Sequence, residues 1–172
     1  MVHVALCIGS NSGDRRWYID RMEGMLQGIL LPPIVMSALM ETEPIGVVDE
    51  QPWYLNRIIG GQYDGDACGL LAGCMTIERE LGRKEKGTGR ERTADIDILL
   101  FGRETITTAE LTIPHPAIYS RRFCLEGLFQ IMPDAAIGNT AGTVREQYAA
   151  MTRQVRKQGV KFNVSEGGYS DN

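Results

Sequence analysis

Residues 94–101 read ADIDILLF, an apolar run interrupted only by Asp95 and Asp97. Its length and its Ile and Leu content read as a buried strand. In a strand, residues i and i+2 point to the same face. Asp95 and Asp97 therefore project together, while Ile96 and Ile98 enter the other face. This strand decides the fold because it closes a series. Working back from it, Leu70, Cys74, Ile77 and Leu81 recur at i, i+4, i+7 and i+11, a helix led in by Gly65-Asp66 and stopped by Gly82. Residues 54–63 (YLNRIIGGQY) and 34–42 (IVMSALMET) read as strands. Tyr18, Met22, Met25, Leu26 and Ile29 form the stripe of an earlier helix, with Asn11 or Ser12 as its cap and Pro32-Pro33 as its end. Residues 2–9 (VHVALCIG) are the first strand. The order strand, helix, strand, strand, helix, strand is the α+β, ferredoxin-like βαββαβ unit, an antiparallel sheet with helices packed against it.

Downstream, residues 104–113 (ETITTAELTI) read as a hairpin arm. C-terminal helices follow at about 119–131 and 143–157. The spacing supports one domain over residues 1–158, with 159–172 a mobile tail.

The 172 residues are 43% hydrophobic and 23% charged, which excludes disordered, collagen-like and coiled-coil chains. No apolar run approaches the roughly 20 residues of a membrane helix. The start, MVHVALCIGSNSGDR, shows no secretory pattern, so the expected compartment is the cytoplasm. There the four cysteines are expected to be buried free thiols. A net charge of −4 argues against a nucleic-acid binder, which needs a basic face. Only two histidines are present, so a zinc site is not expected. The chain is expected to be a monomer acting on small molecules.

Two adjacent carboxylates repel unless a cation or a proton lies between them. Oxygen donors at this spacing suit Mg²⁺, which takes one or two protein carboxylates and completes its shell with water and phosphate. The preceding loop, residues 83–92 (RKEKGTGRER), carries five cationic side chains against two acids. Guanidinium forks bind phosphate oxygens, so loop and acids together fit a metal–polyphosphate ligand. His115, between Pro114 and Pro116, is a candidate phosphate donor, followed by Arg121 and Arg122. No Walker sequence, G-x-G-x-x-G or protein-kinase signature is present. The long loop at 43–53 is a second candidate functional element.

Taken together, the segments ALCIGSNSGD, ETEPIGVVDEQPWYLN, IERELGR, RTADIDILLFG and LTIPHPAIYSRRF resemble the 6-hydroxymethyl-7,8-dihydropterin pyrophosphokinase family of folate biosynthesis. The resemblance spans residues 5–123. It implies transfer of pyrophosphate from ATP, the co-substrate, to the pterin hydroxyl, with release of AMP. It implies two Mg²⁺ ions on Asp95 and Asp97, with Arg83 and Arg92 on the phosphates as catalytic groups. It implies ATP contacts from Glu78, Arg83, Lys86, Arg92, Ile98, Thr112, His115 and Arg121. It implies a pterin pocket of Thr42, Pro44, Ile45, Gly46, Tyr54, Asn56 and Phe123, the two aromatics sandwiching the ring and Asn56 reading its edge. The chain departs from the family pattern in the loop, where Glu91 stands in place of a usual proline, and at Ser12 and Gly127.

Overall fold

The computed structural model describes residues 1–46, 50–83, 91–139, 142–151 and 153–162. The βαββαβ series is present with its second strand divided in two. It runs β1 (Val2–Ser10), α1 (Arg15–Gln27), β2 (Leu31–Met36), β3 (Met40–Thr42), β4 (Tyr54–Tyr63), α2 (Ala67–Glu80) and β5 (Asp95–Phe101). Then come β6 (Ile106–Thr107), β7 (Thr112–Ile113), α3 (Ala117–Ser120), α4 (Arg122–Ile131), α5 (Val144–Ala149), α6 (Arg153–Arg156) and β8 (Val160–Phe162). The main sheet has the order β5-β1-β4-β3-β8, with β2 on β4 beside β3. All its pairings are antiparallel. The expected arm is the β6–β7 ribbon.

Both faces of the sheet are covered, which is why its strands read as continuous apolar runs rather than as alternating ones. Leu6, Ile8, Ile96 and Ile98 pack on one side with Ile19, Met22, Leu26, Leu70 and Ile77 of α1 and α2. Ala5, Cys7, Ile58 and Leu99 pack on the other with Ile118, Phe123, Cys124 and Leu128. The aspartates of β5 belong to this second face.

Several boundaries differ from the sequence reading. The strand expected at 34–42 is two strands, because the buried Ser37 hydroxyl accepts the Ile58 N–H at 2.9 Å and breaks the run. Pro32 and Pro33 lie inside β2 rather than ending the helix, which stops at Gln27. Proline lacks an N–H, and β2 tolerates it as an edge strand with a register shift after Leu31. The α1 cap is Asp14, whose carboxylate accepts from Trp17 N at 3.0 Å, and not Asn11 or Ser12. The helix expected at 119–131 breaks at Arg121, which is extended (φ −121°, ψ 118°). That expected at 143–157 divides into α5 and α6. The tail expected from residue 159 does not begin there, since β8 pairs with β3 through residue 162. Of the four free cysteines, Cys7, Cys74 and Cys124 are buried as expected, but Cys68 is exposed.

Candidate active site

One row of residues crosses the sheet at its upper end. Asp95 on β5 pairs with Gly9 on β1, and Gly9 pairs with Asn56 on β4. A Cβ at Gly9 would collide with the Asn56 Oδ1 atom. Glycine here lets the Asn56 amide lie close over β1, on the lane that leads to the acids.

Asp95 is held from two sides. Arg83 Nη1 lies 2.5 Å from its Oδ1, and Arg92 Nη1 lies 2.5 Å from its Oδ2. Burial pushes the Asp95 carboxyl up, but Arg92 and then Arg83 outweigh it and hold the group below the ordinary carboxylate range. Asp95 is therefore ionised at neutral pH. Arg92 is shifted up: burial disfavours its charge, but Asp95 more than offsets this. Beneath Arg83 lies Glu78, only 2% exposed, which pairs with that guanidinium and accepts the Ile96 N–H at 2.8 Å. Glu78 is thus turned to Arg83 and to the backbone of β5.

Asp97 is partly open, its side chain 31% exposed, with an oxygen 3.9 Å from His115 Nε2. The His115 N–H is bonded to Leu99 O at 3.0 Å. Its Nδ1 accepts the Ala117 N–H at 3.1 Å, so the ring proton sits on Nε2, facing Asp97.

Two cavities adjoin these residues. One, of about 90 Å³, is lined by Thr42, Glu43, Pro44, Ile45, Gly46, Tyr54, Asn56, Arg92, Arg121, Phe123 and Gln158. Inside it Asn56 Nδ2 donates to Thr42 Oγ1 at 2.6 Å. Burial raises the Tyr54 phenol above its usual value despite nearby Arg92, which keeps the ring neutral. The other cavity, of about 250 Å³, is bounded by Asp97, Ile98, Thr112, His115 and the arm residues 109–111. A larger open hollow of about 420 Å³ beside Arg15, Trp53 and Lys161 contains none of the implied site residues.

The structure thus gathers all seven residues implied for the pterin pocket around one cavity. It places Ile98, Thr112, His115 and Asp97 around the second, puts Arg92 and Arg121 in the wall of the first, and ties Arg83 and Arg92 to Asp95. Lys86 lies outside the described residues. The sequence reading missed Asn11, which is 1% exposed. Its side chain accepts from Arg92 N at 2.7 Å and donates to Gln51 Oε1 at 3.1 Å, so it joins the two loops that border the acids. It also missed Glu43 and Gln158. The G-S-N run was a visible signal for Asn11; Gln158 had none, being joined to the site only by folding.

A family model described as 7,8-dihydro-6-hydroxymethylpterin-pyrophosphokinase matches residues 5–133. The 2-amino-4-hydroxy-6-hydroxymethyldihydropteridine pyrophosphokinase of Bacillus subtilis (strain 168) is 39% identical over 127 residues, covering 73% of this chain and 75% of its own. The enzyme of the same name from Methylorubrum extorquens is 32% identical over 155 residues, covering 88% and 94%. Among solved structures, Plasmodium falciparum HPPK-DHPS with pteroate superposes with a TM-score of 0.66 at 15% identity. That match covers 87% of this chain but 44% of the longer one, and it speaks to the fold alone. The chain belongs to the 7,8-dihydro-6-hydroxymethylpterin pyrophosphokinase family, the enzymes of the pyrophosphokinase step of folate biosynthesis.

Proposed function

We propose that this chain binds 6-hydroxymethyl-7,8-dihydropterin in the smaller cavity and ATP across the larger one, and joins them over Asp95 and Asp97 with Mg²⁺. The observation that carries this is a pair of cavities joined to two acids on one strand, Asp97 lining the larger and Asp95 bound to Arg92 in the wall of the smaller. In the reaction the pterin hydroxyl oxygen bonds to the β-phosphorus of ATP. The bond from that phosphorus to the α,β-bridging oxygen breaks, AMP leaves with the electron pair, and the hydroxyl proton is released to solvent.

The donor set fits Mg²⁺. Asp95 is ionised, Asp97 is reachable, and both offer oxygen ligands without the nitrogen or sulfur that softer metals select. Two ions held by Asp95 and Asp97 would neutralise phosphate charge and lower the pKa of the attacking hydroxyl. Arg83 and Arg92 pair with Asp95, and guanidinium forks of this kind stabilise charge that develops on phosphoryl transfer. Glu78 holds Arg83 in place, and Asn11 holds Arg92. His115, with its proton on Nε2, donates to a phosphate oxygen, and Thr112 and Ile98 border the nucleotide. Arg121, in the wall of the smaller cavity, and Lys86 of the loop supply further cations for the phosphates. Tyr54 and Phe123 stack on the pterin ring, and Asn56 reads its polar edge.

The chain acts on two small molecules as a monomer, without nucleic acid or membrane. The unlinked thiols support a reducing cytoplasm.

The test is AMP formation from ATP, followed with and without dihydropterin alcohol and with Mg²⁺ or chelator. AMP release that requires both pterin and metal is expected. Pterin binding without any AMP would leave a binding protein and overturn the proposal.

A further inference from the structure

The smaller cavity has a wall that the family match does not reach. That match ends at residue 133, yet Gln158 lines the cavity. We propose that Gln158–Phe162 is a strap that sets the shape of the pterin cavity, with Gln158 as a positioning residue for pterin binding. The inference rests on the pterin reading of that cavity.

Three anchors hold the strap. Gln158 is 6% exposed. Its Nε2 donates to Glu43 O at 3.2 Å and its Oε1 accepts from Arg122 N at 2.8 Å. One side-chain amide thus ties the 42–46 wall to the start of α4, whose next residue, Phe123, lines the same cavity. Only an amide supplies a donor and an acceptor from one end of the chain at this length. Second, Glu43 N donates to Gly159 O at 3.0 Å, and Gly159 N donates back to Glu43 Oε2 at 3.1 Å. Third, β8 continues the ladder onto β3, pairing Thr42 with Val160, and the Lys161 ammonium sits 4.4 Å from the Trp53 ring centre. Gly159 allows this seat, since a Cβ there would lie 2.8 Å from Trp53 Cη2.

The strap touches one substrate only. No residue of 158–162 lines the larger cavity, where Asp97 and His115 lie. Loosening it therefore acts on pterin affinity and leaves the phosphate chemistry in place.

The experiment uses the full chain with Gln158→Glu, which loses the donor, Gln158→Met, which loses both polar atoms, and Gly159→Ala, which lifts the strap off Trp53. Steady-state kinetics give kcat and the KM for each substrate, and fluorescence titration gives pterin binding. The KM and Kd for pterin are expected to rise roughly three- to tenfold, the scale of one hydrogen bond, while kcat and the KM for ATP stay within about twofold. Unchanged pterin constants in all three variants overturn the strap. So does a loss shared equally by ATP and pterin with a lowered melting temperature, which marks a merely structural segment. A wild-type chain that neither binds pterin nor makes AMP refutes the pocket reading itself, an outcome distinct from an active wild type with indifferent variants.

Discussion

At the scale of single residues, two neighbouring aspartates have separate environments: Asp95 is buried against two arginines and Asp97 is partly open. Asp97 is partly exposed and its removal opens no core cavity, so Asp97→Ala should leave thermal unfolding nearly unchanged. It should also slow AMP formation about a thousandfold, equivalent to ~4 kcal/mol of transition-state stabilisation. Near-normal turnover in that variant would remove the metal from the proposal. Asp95 gives a pH signature. Its carboxyl is held below the ordinary range by Arg92 and Arg83, acting against burial. A depressed folded-state pKa gives stability that is full above the unfolded value, near about 3.9, and that drains as pH falls through the lower folded value. Urea midpoints of the wild type should therefore drop on acidification below about pH 4. Asp95→Asn should be less stable at neutral pH and show a shallower acid limb. Parallel acid limbs in the two proteins would show that Asp95 is not the group responsible.

Between elements, the decisive contact is α4 on β4, because α4 carries Phe123 and β4 carries Tyr54 and Asn56. Gly127 sets their separation: a Cβ there would run into the Ile58 side chain and come within 3.2 Å of Met40 Cε. Gly127→Ala should thus cost about 1–3 kcal/mol of stability through overpacking, against the gain that alanine normally brings to a helix. It should also weaken pterin binding, as the two aromatic walls part. Chemical denaturation with a pterin titration measures both, and a more stable variant would show that the helix has room. The same element explains a sequence misreading. Residues 119–131 keep an apolar pattern throughout, yet the helix breaks at Arg121 and restarts at Arg122. The break coincides with the place where Arg121 lines the cavity. Periodicity records which residues are buried, and it does not register a one-residue break that re-aims a side chain.

For the molecule as a whole, the two-sided sheet divides the thiols into distinct populations. Cys7, Cys74 and Cys124 are buried and Cys68 is exposed. Cys7 is raised well above the usual thiol value, first by a hydrogen bond with Cys124 and then by burial, so less of it is thiolate at any pH. A thiol-alkylating reagent at mildly alkaline pH should modify Cys68 alone in the folded chain and all four cysteines in denaturant. Peptide mass mapping reads this directly, and rapid labelling of Cys7 in the folded state would contradict the packing described.

The amino-acid sequence alone determined the order of the strands and helices of the βαββαβ core, because apolar spacing follows from which faces must leave water. It also determined the acidic pair, because a two-residue repeat puts both side chains on one face of any strand. Tertiary structure alone decided which distant residues share the smaller cavity. Gln158 and Glu43 are 115 positions apart and meet only because β8 folds back on β3. It likewise decided that Ser37 would split a strand, and that Asn11 would tether Arg92 rather than cap a helix. Polar side chains satisfy their hydrogen bonds with whichever backbone groups the packed chain brings near, and a local pattern carries no record of those partners.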